Sequence, residues 1–193
     1  MKILGIYGSP RKGGNSETVL DRVLEGAAAA GAEIERIYVR DLTMSGCTAC
    51  GACEKDGQCI VKDDMQQVYP LMEEADVIVL ASSIFFYGIT AQAKALVDRA
   101  QAMWSRRMLK KPRSQWKNHE SGMGYLVAVG ATKGQNLFEG VSLVAKYFFD
   151  AMDMDYEGGL FYRGLEGKDD ARNNLEIMKE AYEFGEKIVK SNR

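Results

Sequence analysis

Lys2-Ile3-Leu4-Gly5-Ile6-Tyr7-Gly8-Ser9-Pro10-Arg11-Lys12-Gly13-Gly14-Asn15-Ser16-Glu17-Thr18 is the stretch on which the reading of this 193-residue chain turns. The apolar run through Ile3, Leu4 and Ile6 stops at Gly8-Ser9-Pro10, as a buried strand does on entering a turn. From Asn15 or Ser16 as cap, Val19, Leu20, Val23, Leu24, Ala27 and Ala28 recur at helical spacing until Gly31. Where strand becomes helix, unpaired amides and the positive end of the helix dipole favour an anion. Ser9, Asn15, Ser16 and Thr18 can supply neutral donors, and Arg11 and Lys12 can balance charge. The spacing is neither G-x-G-x-x-G nor the phosphate loop ending in Gly-Lys-Ser/Thr, so a monoester phosphate fits better than a dinucleotide or ATP. A glycine-rich turn and a capped helix without ligand would have the same composition.

The rhythm continues outward from this unit. Glu33 to Arg40 reads as a second strand whose interleaved polar residues suit an edge, and Asp63-Asp64 can cap a helix that Pro70 should kink or split. Val77-Ile78-Val79-Leu80 is a continuous apolar run typical of a parallel strand covered on both faces. Thr90 to about Trp104 reads as helix, Tyr125 to Val129 as a fourth strand, and Gln135 to Met152 as helix. Gly158 to Tyr162 is a weaker fifth strand, and Asp170 to Val189 a closing helix. Five strands alternating with five helices call for one α/β domain over 1–193 with a doubly wound parallel sheet. Arg106, Arg107, Lys110, Lys111, Arg113 and Lys117 interrupt the rhythm and read as a basic inserted loop at about 105–120. It is either solvated or a grip on the 2'-phosphate of NADPH or on another subunit.

The formal net charge of -2 supplies no global attraction for nucleic acid or an anionic membrane. No apolar stretch has the length of a membrane span and no signal-peptide core precedes Gly8, so a cytoplasmic protein is expected. His119, the chain's single histidine, lies in a polar basic stretch and reads as solvated; with it alone, no hydrolytic triad can be assembled.

At Gly8-Ser9-Pro10-Arg11 and Gly14-Asn15-Ser16-Glu17-Thr18 the chain resembles the NADPH-dependent FMN reductase and flavodoxin-like superfamily. The resemblance extends through Ser82-Ser83-Ile84-Phe85-Phe86-Tyr87-Gly88-Ile89-Thr90-Ala91-Gln92, Lys94-Ala95 and Asp98-Arg99. It implies a flavodoxin-like sheet of strand order 2-1-3-4-5 with FMN at the carboxyl ends of the strands, where the order switches between the first and third. Ser82, Ser83, Ile84, Phe85, Phe86 and Tyr87 would then line the flavin, with the three aromatics flanking its ring unless they are core or dimer contacts. Ser83 stands where the family usually has proline, and Tyr87 near a family glycine. The third loop, Gly130-Ala131-Thr132-Lys133-Gly134, matches the family's glycine pair loosely, so Gly130, Ala131, Thr132 and Gly134 complete the expected contacts.

All four cysteines fall in one loop, residues 46–60, as Cys47-x2-Cys50-x2-Cys53-x5-Cys59. Without a secretory signal this argues for metal rather than disulfides. The first three follow the spacing of bacterial ferredoxins, but the fourth is five residues on and not followed by proline, so all four can serve one centre. The pattern resembles the iron-sulfur flavoproteins of the same superfamily, which carry a [4Fe-4S] cluster beside FMN; Asp63-Asp64-Met65 also matches. Zinc and free redox thiols stay open as alternatives.

These readings give an FMN-dependent oxidoreductase, pairing FMN with a [4Fe-4S] cluster and exchanging electrons with a carrier such as ferredoxin, or with NAD(P)H. The alternatives are a cluster-free NAD(P)H-dependent FMN or quinone reductase and a non-catalytic flavin- or zinc-binding redox module. The cysteine loop follows the second strand, so it should open on the flavin edge, yet beyond the first strand from the switch point. A homodimer or homotetramer pairing each cluster with a partner's FMN is therefore expected.

Overall fold

The computed structural model describes residues 1–191; residues 192–193 of the expected domain lie outside them. Strands β1 (Lys2–Tyr7), β2 (Glu33–Tyr38), β3 (Val77–Ser83), β4 (Met123–Gly130) and β5 (Asp155–Arg163) form one sheet, all parallel, in the expected order β2-β1-β3-β4-β5. Helices α1 (Asn15–Ala29), α2 (Met65–Glu74), α3 (Ala91–Arg99), α4 (Gln101–Lys110), α5 (Glu139–Ala151) and α6 (Leu175–Ser191) connect and cover it.

Side-chain alternation along the central strands divides the core into two layers. Leu4, Ile6, Ile78, Leu80, Leu126 and Ala128 face α2 to α5 and pack with Met65, Leu96, Val141 and Phe149. Ile3, Tyr7, Val77, Val79, Val127 and Val129 face α1 and α6, meeting Leu20, Leu24, Ala181 and Ile188. A strand buried on both faces has no polar positions to alternate, which is why β3 reads as an unbroken aliphatic run. The α1–α6 pair crosses closely. A Cβ on Gly26 would run into the Tyr182 carbonyl, and one on Gly185 into the Val23 carbonyl.

Several expectations are corrected. The helix foreseen from Thr90 to Trp104 is two helices, because a short turn at Ala100, whose amide bonds Val97 O at 3.0 Å, redirects the chain. Pro70 does not split α2, which runs unbroken from Met65 to Glu74. It lies on the exposed side with Gln66, whose carbonyl loses its helical partner where water can replace it. The basic stretch at 105–120 is loop only in its second half, since α4 runs to Lys110. His119 is not solvated: its ring lies between Asp155 Oδ1 (2.7 Å from Nδ1) and Asp150 Oδ1 (2.8 Å from Nε2). Among the described residues no helix is long and apolar enough to cross a membrane.

Candidate functional site

The loops after β1, β3 and β4 meet at the carboxyl edge of the sheet. Ser9, Ser16 and Ser83 form a hydroxyl cluster there, with Ser83 Oγ 3.2 Å from Ser9 Oγ and 3.3 Å from Ser16 Oγ. The Arg11 amide donates to Ser9 Oγ at 3.2 Å, while the Arg11 and Lys12 side chains stay exposed. Gly14, not Asn15 or Ser16, is the cap of α1, and Thr18 is buried one turn in. Asn15 is turned away. Its Nδ2 donates to Gly167 O (2.7 Å) and its Oδ1 accepts from Ala171 N (3.0 Å), so the side chain ties α1 to the loop after β5.

Buried Ser82 and Thr90 brace the β3 loop. Ser82 Oγ donates to Ser83 O (2.8 Å) and accepts from Thr90 N (3.1 Å), and Thr90 Oγ1 donates to Gly8 O while capping α3 through Ala93 N (3.1 Å). Between them Phe85 and Gly88 exchange two 2.9 Å backbone bonds across a tight hairpin, which puts Phe86 (φ 50°) and Tyr87 (φ 62°) in the left-handed region. That conformation costs about 1–2 kcal/mol per residue. The hairpin presents Phe85, Phe86 and Tyr87 to solvent, and Phe86 is fully exposed. The Tyr87 ring covers Gly134, where a Cβ would collide with the phenol oxygen. Ile84 lies beside Gly130, and Ala131 and Thr132 are exposed beyond it. Two cations missed by sequence reasoning join this edge: Arg163, donating to Gly134 O at 3.2 Å, and Lys168, whose side chain reaches Gly13. The basic run from Arg106 to Lys117 lies at the opposite, amino edge. There Lys111 bonds Asp153 and the Met123 amide bonds Asp76, which separates the run from the β1–α1 loop of its own chain.

The cysteine loop leaves the carboxyl edge as expected but does not stay there. It folds along α3 to the α3–α4 junction. Cys47, Cys50, Cys53 and Cys59 line one cavity of about 300 Å³ together with Asp98, Arg99, Gln101 and Ala102. Cys53 Sγ lies 3.4 Å from Ser105 Oγ, and Gly57 O accepts from Arg106 Nε and Nη2 at 3.2 and 3.1 Å. At the neck, Asp63 and buried Arg99 form a two-pronged ion pair at 2.6 and 3.0 Å. Burial opposes the Arg99 charge, but Asp63 outweighs it and raises the pKa; the same pairing holds Asp63 below the usual carboxylate range. Burial pushes the neighbouring Tyr69 phenol up to about 12. Among the described residues no three His, Cys, Asp or Glu side chains converge closely enough for a single metal ion. Four sulfurs bound to one zinc at about 2.3 Å lie within about 4 Å of each other. A four-iron cube separates its thiolates more widely, and four thiols around one cavity are the donor set it requires.

The sequence model of the NADPH-dependent FMN reductase family matches residues 1–156. An iron-sulfur flavoprotein of Archaeoglobus fulgidus is 40% identical over 99 residues, 51% of this chain and 45% of that one. A second from the same organism is 30% identical over 180 residues, 92% of this chain and 87% of that one. The chain therefore belongs to the NADPH-dependent FMN reductase family of oxidoreductases, together with the iron-sulfur flavoproteins. In its matches to the first of these proteins and to several other relatives it spans about half of their length. A flavone reductase superposes with TM-score 0.75 at 19% identity, over 99% of this chain and 62% of that one. An archaeal flavodoxin does so with TM-score 0.59 at 14% identity, over 99% and 98%. These two likenesses concern the fold.

Proposed function

We propose that the protein is an FMN-dependent electron-transfer flavoprotein that pairs FMN at the carboxyl edge with a [4Fe-4S] cluster in the cysteine cavity. The observation that carries this reading is the convergence of all four cysteines on one cavity beside α3, the helix whose cap, Thr90, bonds the phosphate loop. Ser9, Ser16 and Ser83 would hold the flavin phosphate, Arg11 and Lys12 would balance its charge, and Thr18 would support the helix behind it. Asn15 would fix the neighbouring loop. Ile84, Phe85, Phe86 and Tyr87, with Gly130, Ala131, Thr132 and Gly134, would border the ring. Cys47, Cys50, Cys53 and Cys59 would ligate the cluster. When bound, the flavin supplies two-electron exchange and the cluster one-electron exchange. The chain's own part is to position, exclude water and set charge.

Arg11, Lys12, Lys133, Arg163 and Lys168 stand exposed around the flavin edge. They suit an anionic donor or acceptor, either the phosphates of NAD(P)H or an acidic carrier such as ferredoxin. An apolar groove exposing Trp104, Leu143 and Tyr147 adjoins the cysteine cavity and suits a second copy of the chain, consistent with a homo-oligomer. The test is an absorption spectrum of protein purified without air, with iron and acid-labile sulfide analysis. Flavin bands with about four irons per chain are expected on this reading. Flavin without iron or sulfide would leave a nicotinamide-driven FMN reductase. Protein that cannot be reconstituted with FMN would overturn the proposal.

A further inference from the structure

One side chain from outside the cysteine loop grips both of its ends. Arg99, 1% exposed at the end of α3, donates from Nη1 to Ser45 O (2.9 Å) and to Asp63 Oδ2 (2.6 Å), and from Nη2 to Asp63 Oδ1 (3.0 Å). Ser45 precedes Cys47 by two residues and Asp63 follows Cys59 by four. The acid is itself aimed, because it accepts from Ser45 N and Met65 N, each at 3.2 Å. Tyr69 Oη donates to Arg99 O at 3.1 Å and steadies the backbone behind the guanidinium. A planar fork answering a carboxylate in two places fixes geometry as well as charge.

Two features separate this pair from an ordinary structural ion pair. Arg99 lines the cavity that the four cysteines line. Its Nε is also buried without an acceptor, although every other nitrogen of the guanidinium is engaged. A buried N–H left unpaired is costly, and native proteins rarely keep one without a use. Besides Asp63, the groups that act on the Arg99 charge are the Tyr69 phenol and the Cys59 thiol of that cavity.

We propose that Arg99 is the positioning residue of the cysteine centre. Its fork clamps Ser45 and Asp63 so that the loop is closed before any cluster arrives, and its Nε–H supplies a hydrogen bond and a positive charge to sulfur held in the cavity. The second part rests on the cluster reading above; the first does not.

The test uses the full chain with FMN and three variants, Arg99→Lys, Arg99→Gln and Asp63→Asn, each checked for fold by circular dichroism and for flavin binding. In reduced, cluster-free protein, Arg99→Gln and Asp63→Asn should raise the rate at which a thiol reagent modifies the half-buried Cys53 and Cys59 about tenfold, as local opening of the loop becomes easier, while the already exposed Cys47 and Cys50 change little. Protease cleavage within 46–62 should rise in parallel. Lysine keeps the charge but loses the fork, so Arg99→Lys should restore these readouts only partly. In cluster-loaded protein, Arg99→Gln should move the cluster's reduction potential to more negative values, while Arg99→Lys should hold it near the parent's. Folded Arg99→Gln and Asp63→Asn proteins with parental thiol reactivity and protease resistance would overturn the clamp. An unmoved potential in Arg99→Gln would overturn the role toward sulfur. Should Arg99→Gln not fold, Asp63→Asn decides the clamp and Arg99→Lys decides it alongside. Should the parent never accept iron and sulfide, the cluster reading fails, yet the thiol and protease readouts still decide the clamp.

Discussion

Replacing Ser83 by alanine isolates the feature in which this chain departs from the proline usual in its family. The Ser83 hydroxyl lies 3.2 Å from that of Ser9 and 3.3 Å from that of Ser16, so in the free protein it is one corner of a small hydroxyl cluster. With a flavin phosphate bound, it can turn one donor toward a dianion. A hydrogen bond to a charged group is worth about 1.5–3 kcal/mol, and every 1.4 kcal/mol is tenfold in affinity. Ser9 and Ser16 remain in the variant and can reorient, so the lower end applies: FMN affinity should fall about tenfold. Riboflavin, which has the same ring and no phosphate, supplies the control. The assay is titration of flavin-free protein with both ligands, followed by flavin fluorescence quenching. Ser83→Ala should weaken FMN about tenfold and change riboflavin by less than about twofold, which isolates the interaction between hydroxyl and phosphate as a cycle does. Equal losses for the two flavins, or an unchanged FMN affinity, would refute the assignment of this cluster to the phosphate.

Three further outcomes follow from the packing. Asn15→Ala, which cuts the tie to Gly167 and Ala171, should increase proteolysis of residues 164–174 while costing FMN less affinity than Ser83→Ala; the reverse order would make Asn15 a ligand group. Gly26→Ala forces a methyl into the Tyr182 carbonyl across the α1–α6 crossing and should destabilise by about 1–3 kcal/mol, read as a lower urea midpoint; a loss under about 0.5 kcal/mol would contradict so close a crossing. For His119, burial disfavours the imidazolium, but Asp150 and then Asp155 outweigh it, with Arg107 opposing, and the pKa rises above its ordinary 6.5. A raised folded-state value makes the stabilisation fully present below about pH 6.5 and lost as pH climbs through the raised pKa. The gap in urea midpoint between the parent and His119→Gln should thus be widest near pH 6 and close toward pH 9, and a gap independent of pH would count against the bridge.

What could be read in the sequence was local. The aliphatic run of β3 announces a strand buried on both faces, and the glycine loop announces the β1–α1 turn, because both patterns arise from neighbours in the chain. The cysteines were legible for the same reason: their spacing is set by one short loop. The Arg99–Asp63 pair was not, since its members are 36 residues apart and neither position breaks a period. His119 reads as solvated because the two carboxylates that hold it come from the end of α5 and the start of β5. The break between α3 and α4 carries neither glycine nor proline, and Ala100 is an ordinary helix former. Asn15 was legible as a polar residue in the right loop, but its partners lie about 150 residues away.

These long-range contacts determine how the two candidate centres are related. Helix α3 is capped by Thr90, which bonds the β1–α1 loop through Gly8 O, and ends at Arg99, which holds both ends of the cysteine loop. Nine residues at 1.5 Å each put these anchors about 13 Å apart along the axis. A short helix buried through Ala93, Leu96 and Arg99 does not bend readily, so that separation is fixed by the fold rather than by whatever the loops bind. The consequence is specific. Perturbing the Arg99 end should alter the cysteine centre without changing flavin affinity, and perturbing Ser83 should do the converse. Any coupling seen between the two must then come from electron exchange, within one chain or across an oligomer contact, and not from a shared mobile loop.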